Sequence, residues 1–226
     1  MITKSDAIKR MDRKENNFAE IEYHDGSIYS GFLQNEKKNG KGRLNFPNGE
    51  YYEGYFKNDH MHGIGKYVTD TLEYEGEWNS GLQSGKGIER WQDGSIFEGE
   101  FRDGSKHGEG VYKWVDGTKY EGQWKDGEIH GFGVFHFKNG AVYKGEWVKG
   151  KRHGKGEFTN HKGQFYSGDF VHDKKEGKGT LEFTNGQKYV GEFRNNKPHG
   201  LGTLFKKEGT EVQGEWVEGK IATVTN

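Results

Sequence analysis

The chain of 226 residues has no cysteine, which excludes disulfides, thiolate metal ligands and cysteine nucleophiles together. No apolar run approaches the roughly 20 residues of a membrane-spanning helix, and the amino terminus lacks the apolar segment of a signal peptide. Lysine and arginine number 34 against 35 aspartate and glutamate. Because the two signs are interspersed, we expect no nucleic-acid partner. These absences predict an intracellular, cytoplasmic protein.

Aliphatic residues are also scarce. Hydrophobic residues make up 30% of the chain and the mean hydropathy is -1.11, values that are typical of disordered proteins. Disordered chains are poor in aromatics, however, and this chain has six Trp, twelve Tyr and fifteen Phe beside 38 Gly and only two Pro. A chain rich in aromatics and glycine but poor in Leu, Ile and Val indicates many short strands and tight turns.

One pattern repeats along the chain at intervals of 22 or 23 residues. It begins with an aromatic residue, numbered here as position 0 of each repeat, and has glycine at position 2 and usually Phe or Trp at position 4. Paired glycines follow at positions 11 and 13. The position-0 residues are Tyr29, Tyr52, Tyr74, Phe97, Tyr120, Tyr143, Tyr166 and Tyr189, with Val212 in a shorter last repeat.

Each repeat predicts one β-hairpin. Side chains alternate along a strand, so positions 0, 2 and 4 share an aromatic and glycine face, while the other face carries charge. Asn-Gly or Asp-Gly dipeptides such as Asn139-Gly140 predict turns before the next repeat, and we expect His130 and Gly131 to form the turn within a repeat. The predicted fold is all-β: an elongated single-layer antiparallel β-ribbon solenoid of about eight and a half 23-residue hairpin repeats, about 80 Å long.

Three segments follow from the repeat boundaries. The repeat array occupies residues 23–219. Residues 1–22 lie outside it, and we expect a disordered tail or a docking helix that becomes ordered against a partner. Residues 220–226 form a capping segment that could add a closing strand. Because an unprotected edge strand invites pairing with another chain, an end-to-end homodimer is possible.

Isolated repeats contain residues that resemble a chemical site, but their recurrence argues against one. Equivalent histidines such as His130 and His153 lie roughly 10 Å apart, too far to share a metal ion. Each Gly-x-Gly leads into a strand, whereas a phosphate-binding loop leads into a helix. Paired carboxylates such as Glu98 and Glu100 lie on the solvated face. We expect no catalytic residue, no metal site and no cofactor, and therefore a protein that is not an enzyme.

The aromatic face is the candidate partner-binding surface. A thin ribbon cannot cover both of its faces, so we expect rings along a groove to remain partly exposed, as binding surfaces are. The occupant would be a helix or an extended peptide of a partner protein. The candidate residues are the central aromatics Trp78, Phe101, Tyr120, Trp124, Tyr143 and Trp147.

The repeat YEGQWKDGEIHGFG, residues 120–133, resembles the MORN (membrane occupation and recognition nexus) repeat, and the resemblance covers about 23–219. The last repeat departs from it, with Val212 in place of the aromatic. The resemblance implies a non-enzymatic scaffold that binds protein partners in a larger complex, similar to radial-spoke-head and other axonemal components of the cytoskeleton in cilia and flagella.

Two alternatives follow from the same resemblance. Lipid contact has been proposed for the family, which allows a peripheral membrane tether. The best basic cluster available for it is small for that role and consists of Lys149, Lys151, Arg152 and His153. Some enzymes also carry these repeats beside a separate catalytic domain, which allows a regulatory subunit of an enzyme.

Overall fold

The computed structural model describes residues 7–13 and 17–225. Every regular element in these ranges is a β-strand, and none of the described residues lies in a helix. The chain divides into two compact units whose boundary falls between Val115 and Asp116. In each unit consecutive strands pair antiparallel in one layer, which confirms the predicted single-layer solenoid of hairpin repeats.

In the first unit each described strand pairs antiparallel with the next along the chain. The strands are β1 (Ala7–Arg13), β2 (Phe18–Tyr23), β3 (Ile28–Gln34), β4 (Lys37–Asn45), β5 (Tyr51–Lys57), β6 (His60–Val68), β7 (Leu72–Asn79), β8 (Leu82–Trp91), β9 (Ile96–Arg102) and β10 (Ser105–Lys113).

The second unit has the same arrangement. Its strands are β11 (Lys119–Lys125), β12 (Glu128–His136), β13 (Val142–Val148), β14 (Lys151–Thr159), β15 (Phe165–Val171), β16 (Lys174–Glu182), β17 (Lys188–Arg194), β18 (Lys197–Phe205), β19 (Glu211–Val217) and β20 (Lys220–Val224).

A row of glycines crosses each unit at right angles to the strands, because position 2 of one strand pairs with position 13 of the next. We call this set the glycine row. In the first unit it consists of Gly31, Gly42, Gly54, Gly65, Gly76, Gly87, Gly99 and Gly110. In the second it consists of Gly122, Gly133, Gly145, Gly156, Gly168, Gly179, Gly191, Gly202 and Gly214.

The position-0 tyrosine rings lie against the glycine row. There is room for these rings only because the row residues have no side chain. A Cβ at Gly156 would come within 2.4 Å of Tyr143 Oη and within 2.6 Å of its Cε2. Because the Tyr143 ring lies flat against the row, its Oη can donate a hydrogen bond of 3.0 Å to the carbonyl oxygen of Glu146. The same bond recurs from Tyr52 to Tyr55 and from Tyr166 to Asp169, each at 2.9 Å.

The core of each unit is a ladder of rings above the glycine row. Position-0 and position-4 rings alternate along it and meet edge to face, a favourable aromatic geometry. In the first unit the centroids are 5.0 to 5.3 Å apart. In the second they are 5.0 to 5.7 Å apart. Six position-4 rings contact position-0 rings of both their own and the preceding repeat, so the ladder joins successive hairpins within each unit: Phe56, Trp78, Phe101, Trp147, Phe170 and Phe193.

The tight turn within a repeat lies at positions 6 and 7, which corrects one prediction. Asp126 and Gly127 have φ of 50° and 84°, the two positive values of a type I′ hairpin turn. His130 and Gly131, expected in that turn, lie inside β12. Gly131, with φ +63°, instead supports a bulge: the register shifts between Gly122 and Trp124 on the partner strand.

The turn predicted before the next repeat lies where it was expected. Phe137 N donates to Ala141 O at 2.9 Å and closes the loop around Asn139 and Gly140. Gly140 has φ +85°, a conformation that glycine adopts without strain.

The amino-terminal segment differs from the prediction of a disordered tail or docking helix over 1–22. Strands β1 and β2 extend the first sheet, while residues 1–6 and 14–16 lie outside the described residues. The alternating side chains of Ala19, Ile21 and Tyr23 are 1%, 5% and 8% exposed. Because they continue the buried face beside Tyr29, burial of apolar surface favours a strand here.

At the other end, β20 pairs with β19 as a closing strand, and its side chains are exposed. Residue 226 lies outside the described residues. An end-to-end homodimer through this edge stays a prediction.

Candidate functional site

The six aromatics expected to bind a partner lie in the ring ladder and are buried. Their exposed fractions are Trp78 7%, Phe101 4%, Tyr120 0%, Trp124 7%, Tyr143 0% and Trp147 5%. The expectation that these rings stay partly open is therefore wrong. The rings pack edge to face against one another, and the position-0 rings also lie against the glycine row, so the sheet completes its core on this face.

Trp147 illustrates how the ladder closes. Its ring centroid lies 5.7 Å from Tyr120, 5.0 Å from Tyr143 and 5.7 Å from Phe135. Its indole Nε1 donates to the carbonyl oxygen of Gly133 at 3.3 Å. The indole N–H is therefore already hydrogen-bonded within the fold. Because the ring is also buried, Trp147 offers a partner neither apolar surface nor a free donor.

Burial also changes the acidity of the ladder tyrosines. Loss of solvent raises the pKa of Tyr52, Tyr143 and Tyr166 well above the usual 10.0. The same cause, followed by the nearby Glu192 charge, raises the pKa of Tyr189 to about 12. The folded chain therefore favours the neutral phenols.

We expect a loss of stability at alkaline pH. Below pH 10 the phenols are neutral in both states and their contribution is complete. Above it the unfolded chain loses phenol protons first, so the free energy of unfolding falls as the pH rises through 10 toward 12 and beyond. Tyrosinate absorbance and circular dichroism recorded in one titration should change together. Complete phenol ionisation near pH 10 with the strand signal intact would contradict the buried ladder.

The open surface lies on the opposite face of the sheet. In the second unit a groove of about 750 Å³ has the glycine row as its floor, from Gly145 to Gly191. The residues beside each row glycine, at positions 1, 3, 12 and 14, form its two walls. Side chains at positions 2 and 13 would point to the ring ladder, so the floor between the two walls is backbone on this face.

Exposed apolar side chains mark the walls of this groove. Phe132 is 49% exposed, Leu201 is 65% exposed and Val190 is 40% exposed. Two of these, Phe132 and Leu201, share position 12, on the face that the sequence predicts to be charged. An exposed apolar strip beside polar groups is typical of a binding surface.

Two acids beside the groove, Glu146 and Asp169, take part in the fold. Glu146 accepts a hydrogen bond from Lys155 N at 2.9 Å, and Asp169 accepts one from Lys178 N at 3.0 Å. Asp169 also pairs with Lys155 Nζ at 2.5 Å. These bonds stabilise the bulges on β14 and β16, so Glu146 and Asp169 are structural.

Two wall lysines, Lys144 and Lys178, lie directly opposite the wall acids Glu157 and Glu192 on the paired strands. Neither Lys144 nor Lys178 forms an ion pair with any residue in the part of the chain that the structure describes. Both line the groove together with Glu157 and Glu192. The groove thus presents these two lysines, which form no ion pair, together with the carboxylates opposite them, between apolar walls.

A smaller groove of about 430 Å³ occupies the same face of the first unit. Phe32, Tyr55 and Ile64 are its exposed apolar residues, at 41%, 45% and 58%. Arg43 pairs with Glu53 at 3.1 Å there. Because this charged pair is satisfied internally, the groove of the second unit is the stronger candidate.

Sequence reasoning missed both grooves. The available signal was the hydrophobic residue that breaks the charged face at position 12, as Ile64, Phe132 and Leu201 do. Among residues 7–13 and 17–225, no three His, Asp or Glu side chains are grouped to hold a metal ion. The same ranges contain no helix long and apolar enough to span a bilayer.

Comparison with known proteins identifies the repeats. The family model described as MORN repeat matches residues 29–51, 52–70, 74–96, 97–119, 120–142, 143–165, 166–188 and 189–211. A search of the curated proteins returns no match.

Two solved structures show distant similarity. The chain is similar to the TCP10 domain of CPAP from Danio rerio, with 11% identity, 96% of this chain and 99% of that chain covered, and a TM-score of 0.46. It is also similar to the SAS-4 (dCPAP) TCP domain of Drosophila melanogaster, solved with a Proline Rich Motif of Ana2 (dSTIL), with 15% identity, coverage of 92% and 95%, and a TM-score of 0.41. Similarity at this level carries no argument about function. The matched repeats run almost without interruption from residue 29 to residue 211, and the chain belongs to the MORN repeat family.

Proposed function

We propose that the chain is a non-enzymatic interaction scaffold that holds an extended segment of a partner protein in the groove of the second unit. The observation that supports this most is the combination of a backbone floor, exposed apolar walls and the two lysines Lys144 and Lys178 without ion-pair partners. The occupant we propose is a peptide segment with acidic and apolar side chains, because it would satisfy both features.

The dimensions of the groove favour an extended conformation. Phe132 lies on β12 and Leu201 on β18, six strand spacings apart, or about 29 Å. An extended chain covers that distance with about nine residues. A floor without side chains suits a ligand whose own backbone lies close to the sheet, as an extended peptide does.

The charges specify the chemistry of the occupant. Lys144 and Lys178 are at positions 1 and 12 of neighbouring repeats and border opposite sides of the glycine row. Acidic side chains on the peptide would reach them from the groove, while its apolar side chains would cover Phe132, Val190 or Leu201. Exposed charge pairs add specificity and association rate as well as affinity.

A peptide selection tests the proposed function. Random decapeptides displayed on phage are selected on the purified full chain, and the selected peptides are measured by calorimetry. We expect them to be enriched in acidic and apolar residues, and we expect the K144E/K178E variant to bind them at least about tenfold more weakly, because two attractive pairs become repulsive. K162E/K207E makes the same change at exposed turn residues and should leave the affinity unchanged.

Other occupants are outcomes of the same test. Equal binding by K144E/K178E and K162E/K207E would contradict the proposal. So would binding of the chain to phosphatidylserine vesicles at physiological salt without any selected peptide, since that result favours the membrane tether.

For the cellular setting, we propose a cytoskeletal assembly of cilia or flagella, such as the radial spoke head of the axoneme. The support is the resemblance of a chain built almost wholly of these repeats to axonemal components. The test is stoichiometric retention of the chain in purified, detergent-washed axonemes. Its complete release with the soluble fraction would contradict this setting and leave the peptide groove as a separate question.

A further inference from the structure

Four repeats place a cation at position 9, beside the ring ladder. Lys38, Lys106, Arg152 and Lys175 all lie over ring faces there. The distances to the nearest ring centroid are 5.2 Å for Lys38, 4.9 Å for Lys106, 5.5 Å for Arg152 and 4.7 Å for Lys175. A cation at this position covers the ladder with its aliphatic stem and is attracted by the rings.

Carboxylates accompany three of these cations. Lys106 Nζ lies 2.6 Å from Glu89, and Arg152 Nε lies 3.2 Å from Asp173. For Lys38, the nearby Asp59 carboxylate accepts a hydrogen bond of 2.8 Å from its backbone N–H. Asp59 and Asp173 occupy position 7 of the following repeat, so the compensating charge is part of the repeat geometry.

Lys175 is the exception. Position 7 of its following repeat is Asn196, whose amide oxygen accepts the Lys175 backbone N–H at 2.9 Å but carries no charge. The next acid along the strand, Glu176, is directed to the backbone N–H of Asn195 at 3.0 Å. Within the described part of the chain, the Lys175 ammonium makes no ion pair.

A second cation faces the same site. Arg152 Cζ and Lys175 Nζ lie 5.5 Å and 5.9 Å from the centroid of one ring, Phe158. Burial and then the Arg152 charge lower the pKa of Lys175 from 10.5 to about 8. Attraction to the Tyr166 ring acts in the opposite direction. A cation–π contact is worth only about 1 kcal/mol when partly exposed, less than one pKa unit, and therefore does not reverse the shift.

We propose that Lys175 is a preferred acylation site, modified by acyl thioesters without an enzyme. The lone pair of the neutral amine attacks the thioester carbonyl carbon, the C–S bond breaks, and the thiol leaves as the nitrogen loses its proton. The product is an amide, which removes one of two adjacent cations. Lys175 is half-buried, so its amine is desolvated yet within reach of a small reagent.

The expected selectivity follows from the fraction of neutral amine. Near pH 7.5 roughly a quarter of Lys175 is neutral, against about 0.1% for a lysine with the usual pKa. Lower basicity reduces the intrinsic nucleophilicity of the amine and removes part of that advantage. We expect Lys175 to react about tenfold faster than the exposed Lys162.

The experiment treats the purified full chain with limiting S-acetyl-N-acetylcysteamine at pH 7.5 and follows each lysine by peptide mass spectrometry. Asn196→Asp restores the carboxylate found in the equivalent repeats and should reduce the Lys175 rate to that of Lys162. Asn185→Asp makes the same substitution in an exposed turn and should leave the rate unchanged. Circular dichroism checks that both variants are folded.

Two results would overturn the proposal. One is a Lys175 rate no higher than that of Lys162 in the unmodified sequence. The other is an equal Lys175 rate in Asn196→Asp and Asn185→Asp. A rate that rises with pH and levels off above about pH 9 supports the proposal, whereas a rate that is still rising steeply at pH 10 contradicts it.

Discussion

Gly145→Ala is expected to lower the free energy of unfolding of the second unit by about 3 kcal/mol, at or above the upper end of ordinary overpacking. A Cβ at Gly145 would lie 2.6 Å from Gly156 Cα, 2.6 Å from Lys155 O and 2.6 Å from Tyr143 Oη. The first two are backbone atoms of the paired strand and cannot move aside alone. The added methyl group must therefore separate the strands or displace the Tyr143 ring.

Urea unfolding followed by circular dichroism measures this effect. The control is Gly140→Asn, in a turn where nothing lies within 4 Å of the added Cβ and φ is +85°. Asparagine tolerates that conformation, so we expect a change within about 0.5 kcal/mol. Equal midpoints for Gly145→Ala and the unmodified chain would show that the glycine row does not carry the close packing described above.

Trp147→Ala is expected to reduce the stability of the second unit by 3–5 kcal/mol, the usual range for removing a buried large aromatic. The substitution removes ring contacts to two successive repeats and the indole hydrogen bond to Gly133. Trp147→Phe should lower the stability by only about 1–2 kcal/mol, because phenylalanine at this position, as in Phe170, makes the same edge-to-face contacts.

This pair of variants also separates the two roles considered for Trp147. As a ladder residue, it affects the urea midpoint strongly in the absence of any partner. A residue at an open binding surface would instead alter peptide affinity with little change in stability. An unchanged urea midpoint for Trp147→Ala would contradict the burial of this ring and make the ring ladder a candidate binding surface.

The hairpins and their faces could be predicted from the sequence because both depend on spacing alone. A 23-residue interval with aromatics at positions 0 and 4 fixes the strand pairs, and alternation places Tyr120 and Trp124 on one face. Whether that face is open depends on the tilt of each ring. Tyr143 lies flat over Gly145 and Gly156, a geometry that spacing cannot show.

Turn and end assignments were limited by local ambiguity. Asp126-Gly127 and Asn139-Gly140 are both hairpin dipeptides, so the dipeptide alone does not distinguish the tight turn within a repeat from the turn before the next one. The alternation of Ala19, Ile21 and Tyr23 was a usable signal for β2. Strand β1 has no counterpart in the repeat, and the repeat pattern therefore contains no signal that predicts it.

The groove was hidden for a different reason. The face that the sequence predicts to be charged contains apolar residues in only some repeats, such as Phe132 and Leu201, and their significance depends on the groove that they line together. Which lysines lack ion-pair partners depends on distances: Lys155 pairs with Asp169 whereas Lys178, at the same position of the next repeat, does not.

Hydroxyl-radical footprinting of the purified chain tests most directly which face is open. Oxidation of each side chain is measured by peptide mass spectrometry and divided by the rate of the free amino acid, because tryptophan reacts at least as fast as phenylalanine when both are exposed. We predict rapid oxidation of Phe132 and Tyr55 in the two grooves and strong protection of Trp147 and Trp78 in the ring ladder. Normalised rates for the two tryptophans equal to or above those of Phe132 and Tyr55 would contradict the assignment of the groove face as the functional surface.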